Sequence, residues 1–417
     1  MTVGKRENGA VDVRPGELGV SAKGVKVVHG TFRCRRGYDL HTATYLPAVR
    51  RTTACLVFHH GLSDHHERHG AVLTHLCATL GMPVYTYDAH GHGRSGPHGP
   101  AARALVRTYR HLVDDLLDFT RLFVTREEEL EEKEEDGGAD AAAAASVSAS
   151  SGDSAPGNDA HVDGGGQPRS KRQRRPRIFL MGYSMGGLVS NLAVAETCPA
   201  SSSSPSAAAA AAGTGTAHTN GSECSSLVAA AMAAGTTGGD SAAAAESAGV
   251  DGGAGSSLFA GLMLTSSLTD PFYGNHPVLR AVKVAYVTAL SWMAPALPMF
   301  KRNPVESGIR DPAAAAAMAD DTLWYRGRFK VATVASLLYG CARLRAIARR
   351  MSCVPFYVQH ATVDVSCSLP SMQAHLARVR PRDLTMHVVE GAYHDLHHDP
   401  ETPMLLGRMV EWLAKRA

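Results

Sequence analysis

The chain has 417 residues, enough for one large or two moderate domains, and 44% of them are hydrophobic, which suffices for a sizeable buried core. The formal net charge is only +3 and the basic residues are spread along the chain, so nothing indicates a nucleic-acid-binding surface. The charged first thirty residues predict no secretory signal, and no run of about 18 apolar residues predicts a transmembrane helix, so we expect a cytoplasmic protein.

Strand-like segments begin after an N-terminal tail, assigned to residues 1–24. Residues 25–32 and 38–45 predict an antiparallel hairpin at one edge of a sheet, with Gly37 in the turn. Most of the later strand-like runs are apolar throughout, as in a parallel sheet covered by helices on both faces. These runs are residues 54–59, 83–88, 178–183, 258–265, 355–360 and 384–390. Their order predicts a mostly parallel, doubly wound α/β sheet.

Two low-complexity segments interrupt this pattern, at residues 127–176 and 199–257. Their compositions, rich in Ala, Ser and Gly, bury too little apolar surface to offset the entropy of ordering, so we predict inserts outside the core. The basic residues within 171–175 are typical of a nuclear-localisation or anionic-lipid patch, but also of a solvated edge of such an insert. The core is thus assigned to residues 25–270 and 349–417.

The sequence Gly182-Tyr183-Ser184-Met185-Gly186 has the G-x-S-x-G pattern and lies between an apolar strand and a helical run. This is the context of a nucleophile elbow, in which glycines allow a strained serine to project from a sharp turn. We therefore predict that Ser184 is a nucleophile at the carboxyl end of the sheet.

A serine hydroxyl needs a base that removes its proton, and His394 follows the last predicted strand. His397 and His398 lie further along and are interpreted as surface histidines. Asp364, which follows the strand at 355–360, is expected to orient His394, and the order Ser, Asp, His is typical of this arrangement.

The oxyanion of such a reaction needs backbone N–H donors. We expect one from Met185, directly after the nucleophile, and one from Leu62, just beyond the strand at 54–59. The histidines that flank Leu62 in the sequence could indicate a metal site, because imidazole is a common zinc ligand. They lack an H-x-H-x-D-H arrangement, and the eight cysteines lack the paired short spacings of zinc sites, so we expect neither a metal nor another cofactor.

The motifs resemble those of the monoacylglycerol lipases and related lysophospholipase-like α/β-hydrolases. The matching stretches are HGLSDH at 60–65 with Arg68, DAHGHGRS at 88–95, GYSMGG at 182–187, DTLWYRGRFK at 321–330 and EGAYH at 390–394. The resemblance implies the α/β-hydrolase fold, a Ser184, Asp364 and His394 triad, and oxyanion donors at Leu62 and Met185. The chain departs from the family at Ser63, where glycine is frequent, and beside the acid, at Ala361 and Val365.

Residues 271–348 occupy the place where such hydrolases insert a cap, and residues 278–300 are strongly apolar with several cations. This stretch could pack onto the domain or cover the site as a lid, and the resemblance favours a lid with peripheral membrane contact. The expected reaction is hydrolysis of a single-acyl-chain lipid ester, foremost monoacylglycerol. Alternatives are a lysophospholipase, a thioesterase, a broad carboxylesterase or a non-catalytic ligand-binding relative.

Overall fold

The computed structural model describes residues 18–20, 24–126, 176–199, 257–305 and 308–417. Apart from residues 176, 199 and 257, the two predicted inserts lie outside these ranges, as does most of the N-terminal tail. The predictions made for the inserts therefore stay predictions.

A nine-stranded sheet forms the centre of the molecule, in the order β1-β2-β3-β5-β4-β6-β7-β10-β11. The strands from β5 to β11 in this order are parallel, whereas β1, β2 and β3 are antiparallel to their neighbours. The strands are β1 (Leu18–Val20), β2 (Lys26–Arg33), β3 (Asp39–Leu46), β4 (Ala54–His59), β5 (Val84–Tyr87), β6 (Arg177–Tyr183), β7 (Gly261–Thr265), β10 (Phe356–Ala361) and β11 (Leu384–Val389). This confirms the predicted mostly parallel sheet.

Helices cover both faces of the sheet. In the described ranges the α-helices are α1 (Gly70–Leu80), α2 (Tyr109–Asp118), α3 (Met185–Thr197), α4 (Pro277–Met293), α5 (Pro312–Asp320), α6 (Val331–Ile347), α7 (Leu369–Val379) and α8 (Thr402–Ala414). Short 3-10 or π segments occur at His66–His69, Phe119–Val124 and Ala348–Cys353. A small second sheet pairs β8 (Pro298–Phe300) with β9 (Phe329–Lys330).

The core is divided into two layers by the alternation of side chains along each strand. On β4, Leu56 and Phe58 point into a cluster with α1 and α8, while Cys55 and Val57 point into a larger cluster with α2, α3 and α7. Because both faces are buried, β4 is apolar at nearly every position, which is why its bounds match the prediction.

The antiparallel edge differs from the prediction in one respect. The hairpin of β2 and β3 is confirmed, and Gly37 in its turn has φ +81°, a conformation that favours glycine. However, β1 pairs with β2 from within the predicted tail, so the sheet begins at Leu18 rather than at residue 25.

The predicted cap region combines peripheral and deeply buried elements. Helix α4 contacts α6, and α6 in turn packs against α2 and α3 of the main domain. By length and composition the stretch Val331–Cys353 could cross a membrane, but 61% of its apolar window is buried, as in a core helix. Val287 of α4, within the apolar stretch 278–300, is buried against Val331 and Leu338, so the expectation of membrane contact by this stretch was wrong for this residue.

Candidate active site

The strand order reverses between β4 and β6, because the chain goes from β4 to β5 on one side and later to β6 on the other. Loops that leave the carboxyl ends of strands at such a switch point diverge and leave a crevice between them. Gly61 and Leu62 follow β4, and Ser184 follows β6, so the two predicted motifs meet at this crevice.

Ser184 occupies a sharp turn between β6 and α3. Its φ of 54° and ψ of −116° are rarely adopted by a residue with a side chain, so the surrounding structure must hold the strain. Glycine is required at Gly182 and Gly186, where a Cβ atom would lie 2.5 Å from the Gly186 carbonyl oxygen and 2.1 Å from the His59 carbonyl oxygen, respectively. The nucleophile-elbow geometry predicted from the sequence is present.

The three predicted triad residues lie in one hydrogen-bonded chain. His394 Nε2 is 3.0 Å from Ser184 Oγ, and His394 Nδ1 is 2.7 Å from Asp364 Oδ2. The carboxylate accepts from Nδ1–H and so selects the tautomer whose Nε2 can accept the serine proton. This is the arrangement of a general base beside its nucleophile.

Asp364 is held in place by backbone donors from its own loop. Its Oδ1 accepts from the N–H groups of Ser366 and Cys367, each at 2.8 Å. The Cys367 carbonyl in turn accepts from His360 Nε2 at 2.7 Å. The departures from the family at Ala361 and Val365 therefore leave the acid correctly oriented: Ala361 is buried at the end of β10, and Val365 is largely exposed.

The charges of the pair favour an ionised acid and a basic histidine. Burial would raise the pKa of Asp364, but His394 and the Cys367 N–H outweigh it and the net pKa is lowered. For His394 burial opposes protonation, but Asp364, with smaller contributions from Asp395 and Asp64, raises its pKa above the ordinary value. The imidazolium that would form during proton transfer is thus stabilised.

Both predicted oxyanion donors line the cavity next to Ser184. Met185 is the first residue of α3, where backbone N–H groups have no partner within the helix. The loop carrying Leu62 is fixed by His60, whose Nδ1 bonds the Gly61 carbonyl and whose Nε2 accepts from the Ala89 N–H, both at 2.8 Å. Ser63 follows with φ 67°, which explains why glycine suits this position in the family.

A buried ion network behind the site was missed from the sequence. The Arg68 guanidinium lies between Asp64, at 3.3 Å, and Asp395, at 2.5 Å, and so ties the oxyanion loop to the residue that follows His394. His398 also bonds Asp395, at 2.9 Å. Arg68 belongs to a stretch quoted for the resemblance, but only the fold reveals its partners.

The interpretation of His397 as a surface histidine was wrong, whereas His398 is partly exposed and is held by Asp395 and the Arg68 carbonyl. His397 is buried, with Nδ1 2.8 Å from His69 Nδ1 and Nε2 3.2 Å from Thr265 Oγ1. His69 bonds Asp64 through its other nitrogen at 2.9 Å. Burial lowers the pKa of both His69 and His397, so these rings act as neutral links in a polar chain.

A cavity of about 370 Å³ opens in front of Ser184 and His394. Most of its walls are apolar, with Leu268, Phe272, Phe300, Ile309, Met318, Trp324, Phe329, Val334, Leu337 and Leu338. Two carboxylates reach it, Asp64 and Asp395, and both are bonded to Arg68. Arg302 is stacked on Trp324, with its charge 4.2 Å from the ring centroid.

Replacing Arg68 by methionine should lower the free energy of unfolding by about 3–5 kcal/mol, because two buried carboxylates lose their shared partner. Denaturant unfolding followed by circular dichroism measures the change. The matched control is Arg33→Met, which breaks an exposed pair with Asp39 and should cost less than about 1 kcal/mol. Equal effects of the two substitutions would contradict a structural role of the Arg68 network.

The pH dependence of hydrolysis should follow from the raised pKa of His394. Catalysis needs the neutral ring, so kcat/KM for a soluble ester should fall as pH drops through a midpoint above the ordinary histidine value of 6.5. Asp364→Asn should lower this midpoint and reduce kcat by about 10³–10⁴-fold. An unchanged acid limb in this variant would mean that another group controls it.

Comparisons with known proteins identify the family of the chain. The Hydrolase_4 family, described as serine aminopeptidase, S33, matches residues 50–132 and 250–401, more than half of the chain. A monoacylglycerol lipase of Mycolicibacterium smegmatis is 25% identical over 146 residues, covering 35% of this chain. The match spans only about half, 51%, of that relative's length.

Solved structures share the fold at low identity. The monoacylglycerol lipase of Paleococcus ferrophilus has a TM-score of 0.53 at 16% identity, covering 91% of this chain and 99% of that one. A soluble variant of the monoglyceride lipase of Saccharomyces cerevisiae, in complex with a substrate analogue, has a TM-score of 0.55 at 12% identity, covering 99% and 98%. The chain therefore has the α/β-hydrolase fold and belongs to the Hydrolase_4 (serine aminopeptidase, S33) family.

Proposed function

We propose that this protein hydrolyses carboxylic esters that carry one long acyl chain, foremost monoacylglycerols, to a free fatty acid and glycerol. The observation that carries the proposal is the position of the Ser184 hydroxyl, 3.0 Å from His394 Nε2, at the wall of a largely apolar cavity. Such a cavity accepts an alkyl chain and leaves the ester carbonyl at the nucleophile. The lipases among the similar proteins support this substrate class.

The proposed reaction proceeds through an acyl-serine intermediate. Ser184 Oγ attacks the carbonyl carbon as its proton passes to His394 Nε2, and the N–H groups of Leu62 and Met185 stabilise the oxyanion. The ester C–O bond breaks, and glycerol leaves with the proton from His394. Water then attacks the acyl-serine, giving up a proton to His394, which returns it to Ser184 as the fatty acid departs.

The cavity favours an acyl ester over a peptide with a free N-terminus. The walls of the described cavity are largely apolar, which suits an acyl chain better than a charged α-ammonium group. Lysophospholipids, thioesters and small esters remain alternative substrates, since the triad contacts only the carbonyl group. A non-catalytic ligand-binding role would require Ser184 to be inert, which its bond to a basic histidine argues against.

The outer face of α4 supports binding to a membrane surface. Val278, Val282 and Tyr286 follow a helical spacing and are more than half exposed, and Trp292 and Met293 continue this face. We name these five residues the outer apolar face. Val287 on the inner side of this helix belongs to a cluster against which Phe272 and Phe300 pack, and these two rings line the cavity. Lipid on the outer side would therefore lie close to the site that takes the substrate.

The cations near α4 contribute less to membrane binding than the sequence indicated. Arg280 is paired with Asp270 at 2.7 Å, Lys283 bonds Asn275 at 3.1 Å, and Arg302 is stacked on Trp324. Lys301 is exposed. The proposal of peripheral attachment, on the cytoplasmic side of a membrane, therefore rests on apolar contact rather than on attraction to anionic head groups.

The nucleophile is tested with a fluorophosphonate probe. Wild-type protein should be labelled and Ser184→Ala should not, because the probe reacts with an activated serine. The alanine variant should keep the wild-type circular dichroism spectrum. Labelling of this variant at wild-type intensity would exclude Ser184 as the nucleophile.

The substrate class is tested by comparing kcat/KM for a monoacylglycerol, lysophosphatidylcholine, a diacylglycerol, an acyl thioester, a short soluble ester and an aminoacyl arylamide. The monoacylglycerol should be the best substrate by at least about tenfold, equivalent to about 1.4 kcal/mol of transition-state binding. Preference for the arylamide would overturn the ester assignment. Preference for lysophosphatidylcholine would keep the reaction but change the substrate.

The membrane role is tested by substituting the outer apolar face. Val282→Asp combined with Tyr286→Asp should weaken binding to phosphatidylcholine vesicles and lower turnover of a vesicle-borne monoacylglycerol, because charge is disfavoured in the interface. Hydrolysis of a short soluble ester should be nearly unchanged. The control is Val287→Asp on the inner face, which should reduce both activities together by damaging the packing of α4. Proportional loss of both activities in the outer variant would make that face ordinary structure.

A further inference from the structure

Three histidines converge at the antiparallel edge of the sheet, outside the active site. They are His29 on β2, His41 on β3 and His66 in the 3-10 segment His66–His69, and one ring nitrogen of each lies within 4.8 Å of the other two. Within the described ranges, one other group of His, Cys or acidic residues is as close, and it is the triad site around Asp364 and His394. The function proposed above does not use the first group.

Sheet register brings the two strand histidines together. His29 pairs with Ala43 and His41 pairs with Thr31, so the two side chains are diagonal neighbours on one face of the hairpin. His29 Nδ1 is 3.2 Å from His41 Nε2. Two nitrogens at Zn–N distances of 2.0–2.1 Å in a tetrahedral site are separated by about 3.3 Å. The spacing therefore suits two ligands of one metal ion.

His66 supplies the third donor and is already oriented. Its Nδ1 bonds Asp88 Oδ1 at 2.8 Å, and the same oxygen accepts from the His66 backbone N–H at 2.9 Å. The ring is fully buried, yet its Nε2 has no hydrogen-bond partner. A histidine that binds a metal through one ring nitrogen usually donates its other ring N–H to a carboxylate, and His66 is arranged in this way.

Asp88 itself is immobilised. Its Oδ2 accepts from the Arg94 N–H at 2.7 Å. Residue 93 must be glycine for the carboxylate to fit, because a Cβ atom there would lie 2.1 Å from Oδ2. The Asp88 backbone N–H donates to the His41 carbonyl at 2.8 Å, which links the carboxylate to one of the other two ligands. The site is thus built on two strands and a rigid loop.

Both strand histidines are partly buried beside the fully buried His66. The nearby charges of Glu67 and Arg94 are paired with each other at 2.6 Å.

We propose that His29, His41 and His66 bind one zinc ion, with a water molecule completing a tetrahedral site. Three imidazoles with a carboxylate behind one of them are a donor set typical of zinc. The ion would join the edge hairpin to the segment that follows the oxyanion loop. It stabilises the fold and takes no part in ester hydrolysis. This proposal replaces our expectation, based on sequence spacing alone, that the chain binds no metal.

The test uses the full chain without a polyhistidine tag, stripped of metal by a chelator. Zinc is titrated in competition with a chromophoric indicator, and melting temperatures are measured with and without zinc. His29→Gln and His41→Gln are the informative variants, because both side chains are partly exposed and the variants should fold. His98→Gln is the matched control, since His98 is exposed and lies outside the cluster.

Wild-type protein and His98→Gln should bind one zinc ion per chain tightly and melt at a higher temperature when zinc is present. Either cluster variant should bind at least about tenfold more weakly and lose the zinc-dependent rise in melting temperature. Bound Co²⁺ should give the intense visible absorption of a tetrahedral site in wild type but not in His41→Gln. Zinc affinities and melting shifts that are equal in all four proteins, or no tight zinc binding in wild type, would overturn the proposal. None of these measurements depends on ester hydrolysis.

Discussion

The contact between the N-terminal turn of α3 and the end of β4 determines how the active site is assembled. Gly186 approaches the carbonyls of His59 and His60 so closely that no side chain fits between them. This approach places the N-terminus of α3 beside the loop that begins at Gly61. The proposed nucleophile and oxyanion donors therefore share one rigid junction, and the strained backbone of Ser184 is maintained by the packing around it.

Buried polar chains extend this rigidity to the loop of the general base. Arg68 connects Asp64 in the oxyanion loop to Asp395 in the histidine loop. In parallel, bonds run from Asp64 through His69 and His397 to Thr265 at the end of β7. Each member has a partner, so the high cost of burying an isolated charge is avoided. Loops that are far apart in sequence are thereby held at the spacing that the triad needs.

The sequence predicted those features that depend on local patterns. The bounds of β4 followed from an unbroken apolar run, and Ser184, Asp364 and His394 followed from motifs placed after strands. The surroundings of His397 were mispredicted, because a histidine in a charged segment gives no local sign that a distant histidine and threonine will bury it. The cluster around His66 escaped notice for the same reason, since His29 and His41 meet it only through sheet register.

Helix α4 shows why hydrophobic periodicity alone could not distinguish apolar residues that pack against the domain from those that remain exposed. Apolar residues lie on both sides of this helix, so its sequence has no clear polar face from which to infer the buried side. The fold decides that Val287 packs against α6, whereas Val282 and Tyr286 remain exposed. A contiguous exposed apolar face costs solvation unless it is covered. The membrane attachment proposed above would cover it, and Phe272 and Phe300, which pack against the cluster beneath α4, also line the cavity that opens to Ser184.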